Sequence, residues 1–244
     1  MKKFSILFCG FLLLAVAVSA KKLEGSNRYV TKTMHTDDFY KVKINGAFNI
    51  VYHQSKDSAG LVKMYGEDNI LDNMKIESKD GVLNIKFQFP SKKEYGVVIL
   101  NIYSSALNEV ESDAGAVFET AGPVSGSMLS LLLMGNGQIK SWNLDYGVVK
   151  ARILSGSGDI FLGGVCRTAD LSITGRGEIQ AHKLKARDVK CQTTGNVNIG
   201  CFAESKLDVY ITGRGHVYYK GEPRITKKIV GPGKIRSLKG VEID

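Results

Sequence analysis

The chain has 244 residues, with 33 Lys and Arg against 24 Asp and Glu and a net charge of +9. The basic residues are spread along the chain rather than gathered with aromatics, which argues against a nucleic-acid binder and toward weak attraction to acidic polysaccharide or lipid head groups. Beyond residue 20 no apolar run approaches 18 residues, so the mature chain offers no helical membrane span.

The first residues read as an export signal. Met1-Lys2-Lys3 is basic, Phe4 to Val18 is apolar apart from Ser5, Cys9 and Gly10, and Val18-Ser19-Ala20 supplies the small residues of a cleavage site. The apolar stretch is short for an uncleaved anchor. Cys9 follows the bulky Phe8 and lies too early in the stretch for lipidation. Cleavage after residue 20 is expected to leave a leader at 21–38 and one domain at 39–240, in the periplasm, on the outer surface or secreted. Three cysteines remain in that domain: Cys166, Cys191 and Cys201. An odd number is poor material for a disulfide framework, and no CxxC or HxxxH spacing points to a metal, so they read as small buried apolar residues.

Residues 39–106 alternate as strands do. Phe39 to Ile44, Ala47 to Tyr52, Leu61 to Tyr65 and Val82 to Phe87 are predicted strands. Asn45-Gly46 reads as a tight turn between the first two, and Asp80-Gly81 as a hairpin turn before the last. Asn69 to Met74 suits a short helical turn, Pro90 to Glu94 a polar loop, and Val97 to Tyr103 an apolar strand leading into the second half of the chain. This head is expected to cap the open end of a solenoid, which would otherwise expose a sheet edge.

Residues 107–240 are periodic. A short strand runs into a glycine corner and leaves through a β-branched residue: Leu133 to Ile139, Leu154 to Ile160, Ile173 to Ile179, Thr193 to Ile199, Ile211 to Val217 and Ile229 to Ile235, with a degenerate first copy at Glu111 to Val117. A step near 20 residues with strand chemistry means one coil per repeat, each stacked on its neighbours. Seven such coils at about 4.8 Å make a column of about 30 Å. The hydroxyls of Ser112, Ser155, Thr174, Thr194 and Thr212, each before the first glycine position, are expected to stack as one ladder.

Ile44 to Ile50, the Gly66-Glu67-Asp68-Asn69 turn, the Asp80 to Ile85 hairpin and the Thr-Gly-x-Gly coils together resemble the bacterial head GIN domain family, whose members are described as auto-transporter adhesins. The resemblance spans Phe39 to Leu238. It implies an all-β fold, a single-stranded right-handed parallel β-helix similar to the pectin-lyase-like folds, secreted by a Gram-negative bacterium. It brings no catalytic residues to carry over, and the C-terminal translocator barrel of an autotransporter is missing from this chain.

Residues able to carry chemistry are sparse. A polysaccharide lyase or hydrolase needs paired carboxylates, and only Asp159 and Glu178, with Arg176 nearby, could stack as neighbours. The calcium-binding nonapeptide does not repeat, and none of His35, His53, His182 and His216 sits in a nucleophile motif. No cofactor or metal is implied, and no enzyme. A binding edge fares better: the middle corner residues Asn136, Ser157, Arg176, Asn196 and Arg214, with Pro232 after them, are expected to line up and grip an acidic glycan or a matrix component. Trp142, Tyr146, Tyr218 and Tyr219 are candidate platforms for sugar rings. A periplasmic structural protein with a protein partner is the alternative.

Overall fold

The computed structural model describes residues 24–88 and 95–240. The export signal and the Pro90 to Glu94 loop read from the sequence lie outside these. The fold is all-β, with 70% of the described residues in strands and 2% in helix, and its periodic part is a curled parallel solenoid of about six turns.

Seven short strands and one helical turn form the first half: β1 (Tyr29–His35), β2 (Lys41–Asn45), β3 (Asn49–Gln54), β4 (Leu61–Glu67), α1 (Asp68–Asp72), β5 (Met74–Lys79), β6 (Val82–Phe87) and β7 (Ile99–Ser104). The coils continue as β8 (Glu109–Ser112), β9 (Val117–Thr120), β10 (Val124–Leu133), β11 (Gln138–Ile153), β12 (Ser157–Thr174), β13 (Arg176–Gly195), β14 (Asn198–Gly213), β15 (His216–Lys220), β16 (Arg224–Val230) and β17 (Lys234–Ser237).

The N-terminal end is covered by β1, β4, α1 and β5; β1 comes from the stretch expected as a leader, and only part of the 39–106 head serves as cover. β4 closes antiparallel on β7, β1 on β4, and β5 on β6. The first half also does something that local sequence patterns do not announce. β2 lies parallel between β6 and β8, and β3 between β7 and β9. Two further rungs therefore extend the column, and they are threaded out of order: the chain enters at the second rung, leaves to build the outermost, then returns to the third. Asn45-Gly46 is accordingly a coil corner rather than a hairpin turn, since β2 and β3 do not pair with each other. Both kinds of turn call for glycine, and Gly46 sits at φ +149°. The Asp80-Gly81 hairpin is as expected, with both residues at positive φ, 52° and 76°.

Inward side chains stack into continuous apolar columns. One runs Leu83, Val42, Val110, Leu131, Ala151, Leu171, Cys191 and Val209, all fully buried. Beyond the corner a second runs Leu100, Ile50, Phe118, Ile139, Ile160, Ile179, Ile199 and Val217. Each buried aliphatic side chain stabilises the fold by about 1.5–3 kcal/mol. Nine rungs at about 4.8 Å give a column near 40 Å, longer than the 30 Å expected from the periodic part alone.

The register corrects the first repeat copy by one residue. Ser112 pairs with Leu133 and Val117 with Gln138, so Ser112 points inward and is 1% exposed. A one-residue slip moves every side chain to the other face. The hydroxyl ladder consequently holds for Thr174, Thr194 and Thr212, which are in register, and not for Ser112. Ser155 also stands apart. Ile153 pairs with Ile173 but Asp159 with Glu178, so this corner carries one extra residue, and the Ser155 hydroxyl donates to the Met134 carbonyl at 2.7 Å.

A candidate ligand-binding edge on the glycine corners

Four residues separate the inward residue before most corners from the outward residue that restarts the register after it, as between Leu133 and Gln138, Ile173 and Glu178, Thr193 and Asn198, and Ile211 and His216, while five lie between Ile153 and Asp159. That near-constancy places Asn136, Ser157, Arg176, Asn196, Arg214 and Pro232 on one line along the column. Ser157 and Arg176 are direct partners across neighbouring rungs. All six are exposed. The N-terminal end of this line is self-organised: the Asn136 side-chain oxygen accepts the Ser157 N–H at 2.9 Å.

The extra residue at the Leu154 to Gly158 corner opens a shallow concavity of about 450 Å³, lined by Leu154, Ser155, Ser157, Thr174 and Arg176 with Gly156 and Gly175. Gly156 is at φ +84° and Gly175 at +134°, so the backbone can turn outward here without a Cβ in the way. Among the described residues, neither Arg176 nor Arg214 takes part in a salt bridge, whereas Arg152 and Lys206 are engaged by Asp170 and Asp208. Arg176 and Arg214 stand two rungs apart, about 10 Å, on either side of Asn196.

The charge is not spread evenly, contrary to the expectation from the whole sequence. Residues 24–137 carry 11 Lys and Arg against 14 Asp and Glu, but residues 138–240 carry 18 against 8. The column thus has a mildly acidic capped half and a strongly basic open half, which concentrates the potential around Arg176 and Arg214. The excess builds up only beyond the first coils, because Glu109, Glu111, Asp113 and Glu119 offset it at the start of the periodic region; an average over the whole chain conceals it.

The paired-acid candidate comes together without the geometry of a glycosidase. Asp159 and Glu178 are cross-strand partners, but Asp159 accepts the Glu178 backbone N–H at 3.2 Å and Glu178 accepts the Gln180 amide at 2.6 Å. Both are tied into the ladder rather than held across a cleft. The histidines are scattered. His53 stacks on Tyr103 with centroids 4.4 Å apart and bonds Asn101, while His216 stacks on Tyr218. His182 is buried, and desolvation together with Lys220 and Lys183 lowers its pKa. Among the described residues no group of three or more His, Cys, Asp or Glu could hold a metal. Cys166, Cys191 and Cys201 are free thiols. Burial pushes Cys166 up to about 12, and Cys191 is raised by its hydrogen bond with Cys201 and by full burial.

The aromatic platforms divide. Tyr146 is 3% exposed and donates its hydroxyl to the Leu107 carbonyl at 2.8 Å, so it belongs to the core. Trp142 is exposed under the Lys183 ammonium, and Tyr218 and Tyr219 are half-buried. A second exposed aromatic, Tyr210, lies beneath Lys190 and carries no sequence signal that marks it out.

A family model described as "Putative auto-transporter adhesin, head GIN domain" matches residues 38–223. A "putative adhesin" from Bacteroides fragilis NCTC 9343 superposes with a TM-score of 0.82 at 25% identity, over 88% of this chain and 99% of its own. A "putative adhesin" from Parabacteroides distasonis ATCC 8503 gives 0.74 at 23% identity, over 88% and 99%. A "putative lipid binding protein" from the same organism gives 0.75 at 22%, over 89% and 99%. The last two likenesses are of fold alone. No curated protein matches the chain.

Proposed function

The chain belongs to the head GIN domain family of auto-transporter adhesins, and on that footing we propose that it is an exported, non-enzymatic surface protein that grips an acidic glycan along its glycine-corner edge. One observation carries the ligand class: two exposed arginines without salt-bridge partners, Arg176 and Arg214, stand two rungs apart on a polar ladder within a half of the molecule that has a net charge of +10. Asn136, Ser157 and Asn196 supply neutral hydrogen-bonding groups between and beside them. The extra-residue concavity next to Arg176 gives one place along the edge where a ring can seat. Trp142 with Lys183 offers a stacking surface on a neighbouring side of the coil.

The test is binding of the mature chain to a panel of neutral and acidic glycans and matrix proteins, with the same glycans assayed for cleavage. Replacing Arg176 and Arg214 together by Ala removes two charge-assisted contacts and should weaken acidic-glycan binding about 10- to 100-fold. Unchanged affinity would end the reading. Release of glycan fragments would replace it with an enzymatic one and return attention to Asp159 and Glu178. Labelling of intact cells with a membrane-impermeant reagent separates a surface location from a periplasmic one.

A further inference from the structure

The two ends of the column are unlike. At the N-terminal end β4 and β5 cover the outermost rung. At the other end β16 pairs only with β14 and β17 only with β15, so among the described residues their outer edges have no strand partner. Alternate residues of such a strand turn both N–H and C=O outward, which is a template for another strand.

This rung is chemically distinct. Residues 223–240 hold six Lys and Arg and no Asp or Glu. More telling is Lys227. It pairs with Val209, which lies below Cys191 and Leu171, so it occupies the inward register position that eight fully buried apolar or small residues fill in the rungs above. Its neighbours in the same inward row are Ile225, paired with Leu207, and Ile229, paired with Ile211. An inward lysine at a free edge rejects an apolar strand, including a second copy of this chain, because burying it unpaired is costly. The same lysine accepts a strand that brings a carboxylate to that position.

We propose that β16 is a docking edge for an extended acidic segment of another protein, added in register as a further strand. The recognition pattern is set by the row: an apolar residue over Ile225, a carboxylate over Lys227 and an apolar residue over Ile229, at alternate positions. A further acid between the last two falls beside the outward Lys228. The site uses none of the corner-edge residues, so it stands or falls independently of glycan binding.

The probe is a fluorescein-labelled decapeptide carrying the apolar-x-Glu-x-apolar pattern, titrated onto the mature chain, with amide hydrogen exchange read across residues 224–230. Saturable binding and slowed exchange confined to β16 are expected. Lys227→Glu should cost at least about tenfold. Its loss should be recovered by a peptide with Lys in place of the central Glu, a rescue that only a folded variant can show. Arg176→Ala with Arg214→Ala should leave peptide binding unchanged. Equal binding of a peptide with a central proline, or equal competition by a sulfated polysaccharide with no effect of Lys227→Glu, would overturn strand addition in favour of a nonspecific polyanion surface. Failure to saturate at about 1 mM peptide would overturn it outright.

Discussion

The corners are held by backbone proximity as well as by conformation, and two glycines separate these causes. Gly177 is at φ +105° and Gly195 at +107°, so Ala at either position pays about 1–2 kcal/mol for the left-handed region. Their surroundings differ. A Cβ on Gly177 would lie 1.9 Å from the Gly158 carbonyl oxygen of the adjacent rung, whereas one on Gly195 would meet only the Gly175 oxygen at 3.8 Å. The neighbour of Gly177 is backbone and cannot rotate away, so two rungs must separate at the corner, adding about 1–3 kcal/mol as overpacking does. Gly195→Ala should therefore lower unfolding free energy by about 1–2 kcal/mol and Gly177→Ala by about 2–5 kcal/mol. Urea unfolding followed by far-UV circular dichroism reads both. A Gly177→Ala cost no larger than that of Gly195→Ala would refute the idea that rung contact, rather than φ alone, selects glycine here.

Tyr146→Phe should destabilise by about 1–3 kcal/mol, because it strands the buried Leu107 carbonyl; thermal melts of the two proteins check this. Native protein treated with iodoacetamide at about pH 8 should leave Cys191 largely unmodified, since it is fully buried and its thiol is raised by its hydrogen bond with Cys201 and by burial, while the half-buried Cys166, raised by desolvation, should react slowly; denaturant should expose both, and rapid native labelling of Cys191 would contradict its position. His182 has a lowered pKa in the fold, so the unfolded chain takes up its proton first as pH falls below about 6.5 and stability is lost in that direction. The Lys183 and Lys220 charges act in the same sense. His182→Gln should flatten the fall in unfolding midpoint between about pH 7 and pH 5, and an unchanged slope would assign that fall elsewhere.

The periodic half is legible in the sequence because a glycine corner is a local signal: Gly135, Gly156, Gly175 and Gly213 recur in sequence where they recur in space. The corner edge is legible for the same reason, each middle residue being fixed by its own flanking glycines. The order of the first rungs is not. Val42 meets Leu83 on one side and Val110 on the other, partners 41 and 68 residues away, and no local pattern encodes which strand lies between two others. Asn45-Gly46 mimics a hairpin turn because both structures favour glycine at positive φ, although Gly46 at +149° lies far from the +76° of the true hairpin glycine, Gly81. The burial of Tyr146 also escapes the sequence, since its partner is a backbone carbonyl 39 residues earlier. The basic open end is visible in the residue counts, but it gains meaning only because β16 is the last rung.

The out-of-order threading has a consequence for how the chain acquires its shape. A chain emerging N-terminus first delivers β2 and β3 before either of the rungs that sandwich them, so one face of that rung waits for residues near 104 and the other for residues near 120. The coils beyond can add one by one, each on a finished neighbour, as a zipper does. The cap demands simultaneous long-range closure, and such closure is slow because its entropy must be lost before contacts repay it. The slow step of folding should thus lie at the end that emerges first, and the rapid growth should run toward the end left open.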